Sequence, residues 1–267
     1  MRSIYTYLLL AVTTSLPFSL AQAKNPDDIA KQLANPVAAL ISVPFQNNFD
    51  FGGGVDDDGF RYTLNVQPVI PFDLSEDWNL ISRTILPLVY QDDFVNDGGM
   101  SQTGTGDTVQ SFFFSPKAPT SSGMIWGVGP AFLLPTGSND SLSAEKWGAG
   151  ATAVALMQAG PWTYGALANH IRDVAGEDNR ADVRSTFLQP FLVYGAGGGW
   201  TYALNTESTY DHEADQWTVP INFQVNKVTT IGSQMVQLGG GLRYYAEAPS
   251  NAPDWGLRFN VILLFPR

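Results

Sequence analysis

The segment Trp217-Thr218-Val219-Pro220-Ile221-Asn222-Phe223-Gln224-Val225 decides the fold. Trp217, Val219, Ile221 and Phe223 are apolar, and Thr218, Asn222 and Gln224 between them are polar. Side chains of a strand point alternately to opposite faces, so period two puts one face in apolar and one in polar surroundings. The pattern recurs outward from there. Trp200, Tyr202, Leu204 and Tyr210 alternate with Thr201, Asn205 and Glu207. Phe60, Tyr62, Leu64, Val66 and Ile70 alternate with Arg61, Thr63, Asn65 and Gln67. The last run sets Trp255, Leu257, Phe259, Val261, Leu263 and Phe265 against Gly256, Arg258 and Asn260. A half-buried soluble sheet gives the same alternation. Two details favour lipid on the apolar side. The seven tryptophans, Trp78, Trp126, Trp147, Trp162, Trp200, Trp217 and Trp255, all fall near predicted strand ends, where a membrane barrel carries its aromatic girdles. The polar side carries Arg61, Glu207, Arg243 and Arg258, which a dry core does not tolerate.

Strands are predicted over residues 41–51, 59–71, 77–91, 107–117, 123–135, 146–158, 161–173, 182–194, 199–211, 216–227, 234–246 and 255–265. This is an all-β reading: a transmembrane antiparallel up-and-down barrel of about 12 strands. Its connections alternate in length. Those rich in Asp, Asn and Gly, such as 92–106 and 174–182, are long, whereas 73–76 and 159–160 are tight. Long outer loops and short periplasmic turns are the membrane-barrel arrangement. Prolines at Pro44, Pro68, Pro87, Pro130, Pro190 and Pro220 fall inside these strands. Each removes a ladder hydrogen bond, so bulges are expected there. Phe112-Phe113-Phe114 breaks the alternation outright.

Residues 1–23 read as a signal peptide: Arg2, an apolar run from Tyr7 to Leu20, then Ala21-Gln22-Ala23. Residues 24–40 form a periplasmic segment or a plug, with a short helix expected near Asp27-Asp28, and residues 41–267 form the barrel. Without Arg2 the chain holds 13 basic against 25 acidic residues, a net charge near −12. That excludes a nucleic-acid partner, which needs a basic face. With no cysteine and two histidines, thiolate metal sites are excluded and little remains for zinc. Charged residues are 15% and hydrophobic ones 44%, a balance that suits a barrel with a lipid-facing exterior. The longest later apolar run, Ala149 to Met157, is far below the ~20 residues of a spanning helix.

Several short motifs carry a resemblance. They are Leu33-Ala34-Asn35-Pro36, Ser42-Val43-Pro44-Phe45-Gln46-Asn47-Asn48, Gly104-Thr105-Gly106-Asp107 and Phe112-Phe113-Phe114-Ser115-Pro116. Trp126-Gly127-Val128-Gly129-Pro130, Leu134-Pro135-Thr136, Gly160-Pro161-Trp162 and Gln189-Pro190-Phe191 follow in order. Together they resemble the "MetA-pathway of phenol degradation" family of outer-membrane proteins, also labelled transporter or neuromedin U-like. The resemblance implies a porin-like barrel moving small aromatic or apolar compounds. Phe265-Pro266-Arg267 departs from the terminal aromatic such barrels carry.

Parity assigns a lumen set: Arg61, Asn65, Gln67, Arg83, Glu207, Asn222, Gln224, Gln237, Arg243 and Arg258. Opposed charges on a lumen wall set selectivity. The same charges, paired with one another, would instead seal the interior. His170 and His212 are the only candidate imidazole bases, and both read as interfacial or solvated rather than catalytic. The acidic loops at Asp56-Asp57-Asp58 and Asp92-Asp93 read as solvated rather than calcium-binding. No catalytic residue, metal or cofactor is expected. The expected function is passive uptake of small molecules, aromatic or hydrophobic ones among them, across the outer membrane of a Gram-negative bacterium. The expected partners are outer-membrane lipid, the barrel-assembly machinery and the solute. The alternatives are a sealed structural or surface-interaction barrel and a soluble exported barrel holding a ligand. The oligomeric state is not fixed by the sequence.

Overall fold

The computed structural model describes residues 25–94 and 101–265, so the expected leader at residues 1–23 and the chain end at 266–267 lie outside the described residues. A helix α1 (Pro26–Leu33) precedes fifteen strand segments. The first eight are β1 (Ile41–Gly53), β2 (Gly59–Val66), β3 (Val69–Asp73), β4 (Trp78–Asp92), β5 (Gln102–Thr105), β6 (Thr108–Pro116), β7 (Ile125–Leu134) and β8 (Lys146–Ala159). The rest are β9 (Trp162–Gly176), β10 (Arg184–Gly197), β11 (Trp200–Thr206), β12 (Ser208–Asp211), β13 (Gln216–Ile231), β14 (Gln234–Glu247) and β15 (Trp255–Phe265).

All segments belong to one antiparallel sheet closed by pairing of β1 with β15, from Ile41 opposite Phe265 to Phe51 opposite Trp255. Three pairs are single strands interrupted once: β2 and β3 at Gln67-Pro68, β5 and β6 at Gly106-Asp107, and β11 and β12 at Glu207. The result is a closed up-and-down barrel of twelve crossing strands. Closure leaves no exposed edge, so the ladder satisfies the backbone groups that lipid cannot.

Three local expectations change. The stretch 92–106, expected as a loop, contributes β5, whose Gln102–Thr105 pairs with Leu88–Gln91. Its residues carry no apolar alternation, and ladder hydrogen bonds hold it together with side-chain bonds from Gln91 to Gln102 and from Thr105 to the Thr136 carbonyl. Phe112-Phe113-Phe114 does alternate: Phe113 points inward and is fully buried, whereas Phe112 and Phe114 point out. The interior there is apolar, so both faces read alike in sequence. Of the six prolines only Pro220 sits at a register shift, while Pro68 lies in an interruption and Pro87 beside another. Pro44 and Pro190 lie in continuous register.

The barrel is inverted relative to a soluble protein. Large apolar side chains such as Leu204, Phe223, Leu242 and Phe259 are exposed on the outer face, and Asn48, Asn222, Gln224 and Arg258 are buried inside. All seven tryptophans begin or nearly begin a strand and share the outward register. Trp78, Trp126, Trp162 and Trp200 ring the end with tight turns, and Trp147, Trp217 and Trp255 ring the loop end. Polar groups on the outer face bond one another, as Thr84 does with Gln110 (2.6 Å) and the Tyr62 hydroxyl does with Asn47 (2.7 Å).

The helix α1 sits inside the turn end. Asn25 caps it by accepting from the Asp27 amide, Pro26 occupies its first turn, and Asp27, Asp28 and Lys31 complement its dipole. Ile29 and Ala30 pack with Leu40 on Val228 and Leu264 of the barrel wall. The Asp27 carboxylate accepts from the Gly199 amide (2.5 Å), and Gln158 Nε2 donates to the Lys31 carbonyl (2.8 Å), tying the helix to two turns.

Candidate functional site

The lumen is the candidate site. The structure places all ten residues assigned to it by parity on the inner face. From the loop end inward, the first layer holds Arg61, whose Nε donates to Gln91 Oε1 (3.0 Å) and whose guanidinium lies 4.0 Å over the Phe94 ring. Beside it Arg243 forms an ion pair with Asp50 at 3.5 Å and donates from Nη2 to the Tyr245 hydroxyl (3.0 Å).

The second layer crosses the lumen. Arg258 donates from both terminal nitrogens to Glu207 (2.7 Å each) and from Nε to Asn48 Oδ1 (2.7 Å). Arg258 starts on β15 and Glu207 lies at the interruption between β11 and β12, so the fork spans β13 and β14. One local feature makes room. Gly241 lies opposite Arg258 on β14, and a Cβ there would strike the Phe223 carbonyl and the Gln224 side chain. Glu207 faces inward by parity at the point where β11 and β12 are interrupted. The charges of Arg243 and Arg83 also act on Glu207.

The third layer is polar, with one guanidinium among amides. Arg83 Nη2 donates to Gln67 Oε1 (3.2 Å), Gln67 Nε2 to Gln46 Oε1 (3.0 Å), and Asn65 Nδ2 to the same oxygen (3.2 Å). Across the lumen Asn260 Nδ2 donates to Gln224 Oε1 (2.5 Å) and Asn222 Nδ2 to Asn205 Oδ1 (2.9 Å). All of these but Asn222 bound a cavity of about 380 Å³ together with Gln237, Ile85, Phe187 and Leu33, the last residue of α1. A smaller space of about 230 Å³ continues from it beneath residues 32–40. Toward the loops an open vestibule of about 490 Å³ is bounded by Arg61, Gln91 and residues 140–144.

The wall is two-faced. Opposite the polar strands, Ile81, Phe113, Val154, Leu156 and Leu167 form an apolar inner surface with Val37, and Phe187 and Phe191 pack against it. Charge is lopsided too. Four arginines (Arg61, Arg83, Arg243, Arg258) face two carboxylates (Asp50, Glu207) between vestibule and helix, a surplus of two positive charges in a chain whose net charge is −11. Among the described residues Asn222 Oδ1 and Asn260 Oδ1 there have no hydrogen-bond partner, and Asp50 Oδ1 and Arg243 Nε meet only as an ion pair at 3.5 Å. Such groups cost free energy unless water or a solute satisfies them.

The parity assignment omitted Gln46, Asn48 and Asp50. They share a face of β1, and Gln46-Asn47-Asn48 hides the period because Asn47, on the outer face, is polar too. Asp107 and Arg180 also escaped it. Asp107 holds the loop after β7 through Ser143 Oγ (2.7 Å) and the Ala144 amide (2.7 Å), and Arg180 binds the carbonyls of Asp140 and Ser143.

No family model matches the chain, and no curated protein sequence matches it. Among solved structures it is similar to the COG4313 outer membrane channel of Pseudomonas putida, with 16% identity, a TM-score of 0.63, and coverage of 85% of this chain and 94% of that one. A looser likeness is to outer membrane phospholipase A of Escherichia coli, at 12% identity and a TM-score of 0.47 over 91% of this chain and 99% of that one. The first likeness establishes the fold, that of an outer-membrane β-barrel.

Proposed function

We propose that this chain is an outer-membrane channel, exported by way of residues 1–23, that passively admits small solutes pairing an apolar body with a negative group. The observation that carries the reading is the two-faced lumen. An apolar wall around Ile81, Phe113 and Leu156 faces a polar wall holding a surplus of guanidinium groups. A ring or short chain desolvates against the first while a carboxylate exchanges among arginines of the second. The likeness to the Pseudomonas outer membrane channel supports the same class. The resemblance to the "MetA-pathway of phenol degradation" family, which implies aromatic or apolar cargo, fits the apolar half of this reading. The expected partners remain lipid, the assembly machinery and the solute.

A second reading, the sealed structural barrel, is favoured by two features: the Arg258–Glu207 fork across the lumen and α1 seated in the turn end. Both are compatible with a channel whose resting state is closed. Planar-bilayer recording and liposome swelling separate the readings. A channel gives conductance with anion preference, and swelling that is faster with an aromatic carboxylate than with a neutral sugar of equal mass. A folded barrel giving neither is a sealed one.

A further inference from the structure

We propose that the outer face at the loop end carries a binding site for the phosphate group of an outer-leaflet lipid, held by Arg172 and Arg184. The site lies outside the lumen, and it rests on the outer-membrane reading only in needing that lipid leaflet.

Arg172 and Arg184 are directly opposite each other across β9 and β10, in the outward register and exposed. Like charges in that position repel. In a chain with 14 basic residues against 25 acidic, no ion pair among the described residues includes either arginine. The nearby acids are engaged. Asp215 takes the Tyr210 hydroxyl, Asp211 accepts from the amides of Glu213 and Ala214, Asp182 pairs with Lys146, and Asp173 accepts from the Val183 amide. Two guanidinium forks side by side match the oxygens of one phosphate.

The next rung toward the membrane centre adds polar hydrogens. The Thr186 hydroxyl lies between two imidazoles, 2.9 Å from His170 Nδ1 and 2.8 Å from His212 Nε2. One hydroxyl proton serves one ring, so the other ring presents its N–H to Thr186. That leaves His170 Nε2 and His212 Nδ1 without hydrogen bonds among the described residues. Both histidines belong to the basic cluster rather than to the lumen.

Depth selects a lipid rather than a soluble anion. Trp162, in the turn-end girdle, opens β9, and Arg172 is ten residues further on. At about 3.3 Å per residue and a tilt near 40° that rise is roughly 25 Å, the height of the apolar band of a membrane barrel. The arginines therefore stand where outer-leaflet phosphates lie. Below them the outward residues Ala151, Ala153, Ala155, Ala166 and Ala168 make a surface of small apolar side chains, over which an acyl chain can lie. Charge above and an apolar trough below fit one amphiphile.

The test uses the purified full-length barrel in detergent and native mass spectrometry. The probes are bisphosphorylated lipid A and its dephosphorylated form, with inorganic phosphate as competitor. Wild type should bind the bisphosphorylated lipid at least tenfold more tightly than R172S/R184S. Arg184→Gln alone should show an intermediate loss. The dephosphorylated lipid should bind both proteins weakly and equally. Equal binding of bisphosphorylated lipid by wild type and the double variant overturns the proposal. So does displacement by equimolar inorganic phosphate, which would mark a free-anion site. Heat-modifiable gel migration shows that the variants fold. Bilayer conductance unchanged in R172S/R184S keeps this outcome separate from the fate of the channel reading.

Discussion

Glu207 lies directly across the ladder from Pro220, and at that rung the strand formed by β11 and β12 is broken. The Glu207 amide still donates to the Pro220 carbonyl (3.3 Å), but proline has no N–H to return the bond. Parity points Glu207 inward to meet Arg258, and the rung on which it stands has one hydrogen bond instead of two. The carboxylate that closes the lumen thus stands on a weakened rung.

The fork itself should dominate stability. Removing Glu207 leaves Arg258, which is fully buried, without its countercharge. Breaking one partner of a buried pair costs about 3–5 kcal/mol, whereas replacing both is often close to neutral. Glu207→Gln should therefore lower the temperature at which heat-modified migration appears, and E207Q/R258Q should recover most of the loss. Equal destabilisation in the single and double variants would mean that the pair contributes nothing as a pair.

Selectivity should follow the arginine surplus. Arg83 borders the cavity and feels Glu207. Arg83→Gln reduces the surplus from two positive charges to one, and Arg83→Glu removes it. The reversal potential in a salt gradient should fall stepwise along that series. Arg243→Glu, next to Asp50, should act in the same direction with a larger cost in folding. Unchanged ion preference in all three would take these side chains out of the conducting path.

The helix should govern opening. Asp27→Ala removes the bond to the Gly199 amide, about 1.5 kcal/mol for a charged acceptor, or roughly tenfold in a closed-to-open ratio. Single-channel open probability should rise by that order, while Asp27→Asn, which keeps an acceptor, should show a smaller rise. Open probability identical to wild type in Asp27→Ala would place the gate elsewhere.

Gly241 should tolerate no side chain. A Cβ there meets backbone and the Gln224 side chain, and overpacking typically costs about 1–3 kcal/mol. Gly241→Val should give a lower folded fraction on refolding into detergent than Leu242→Val, whose side chain points outward and is exposed.

Much of this was legible in the sequence. Period-two segments gave twelve crossings because each strand meets two unlike environments, and the same parity put Arg61, Arg83, Arg243 and Arg258 inside. Parity gives a face and not a partner, however. That Arg258 meets Glu207, 51 residues away, depends on barrel stagger. Where the interior is apolar, at Phe113, or the exterior polar, at Asn47, the period vanishes locally. Gln102–Thr105 carries no apolar pattern because hydrogen bonds, from its backbone and its polar side chains, hold it in place.

The closing pair β1 and β15 has one further consequence. The seat of α1 is built from Val228 and Leu264, the second of which lies on the last strand. The seat of the helix is therefore complete only when the two ends of the sheet have met. A helix that precedes every described strand thus makes its full set of contacts only through the strand at the opposite end of the sheet.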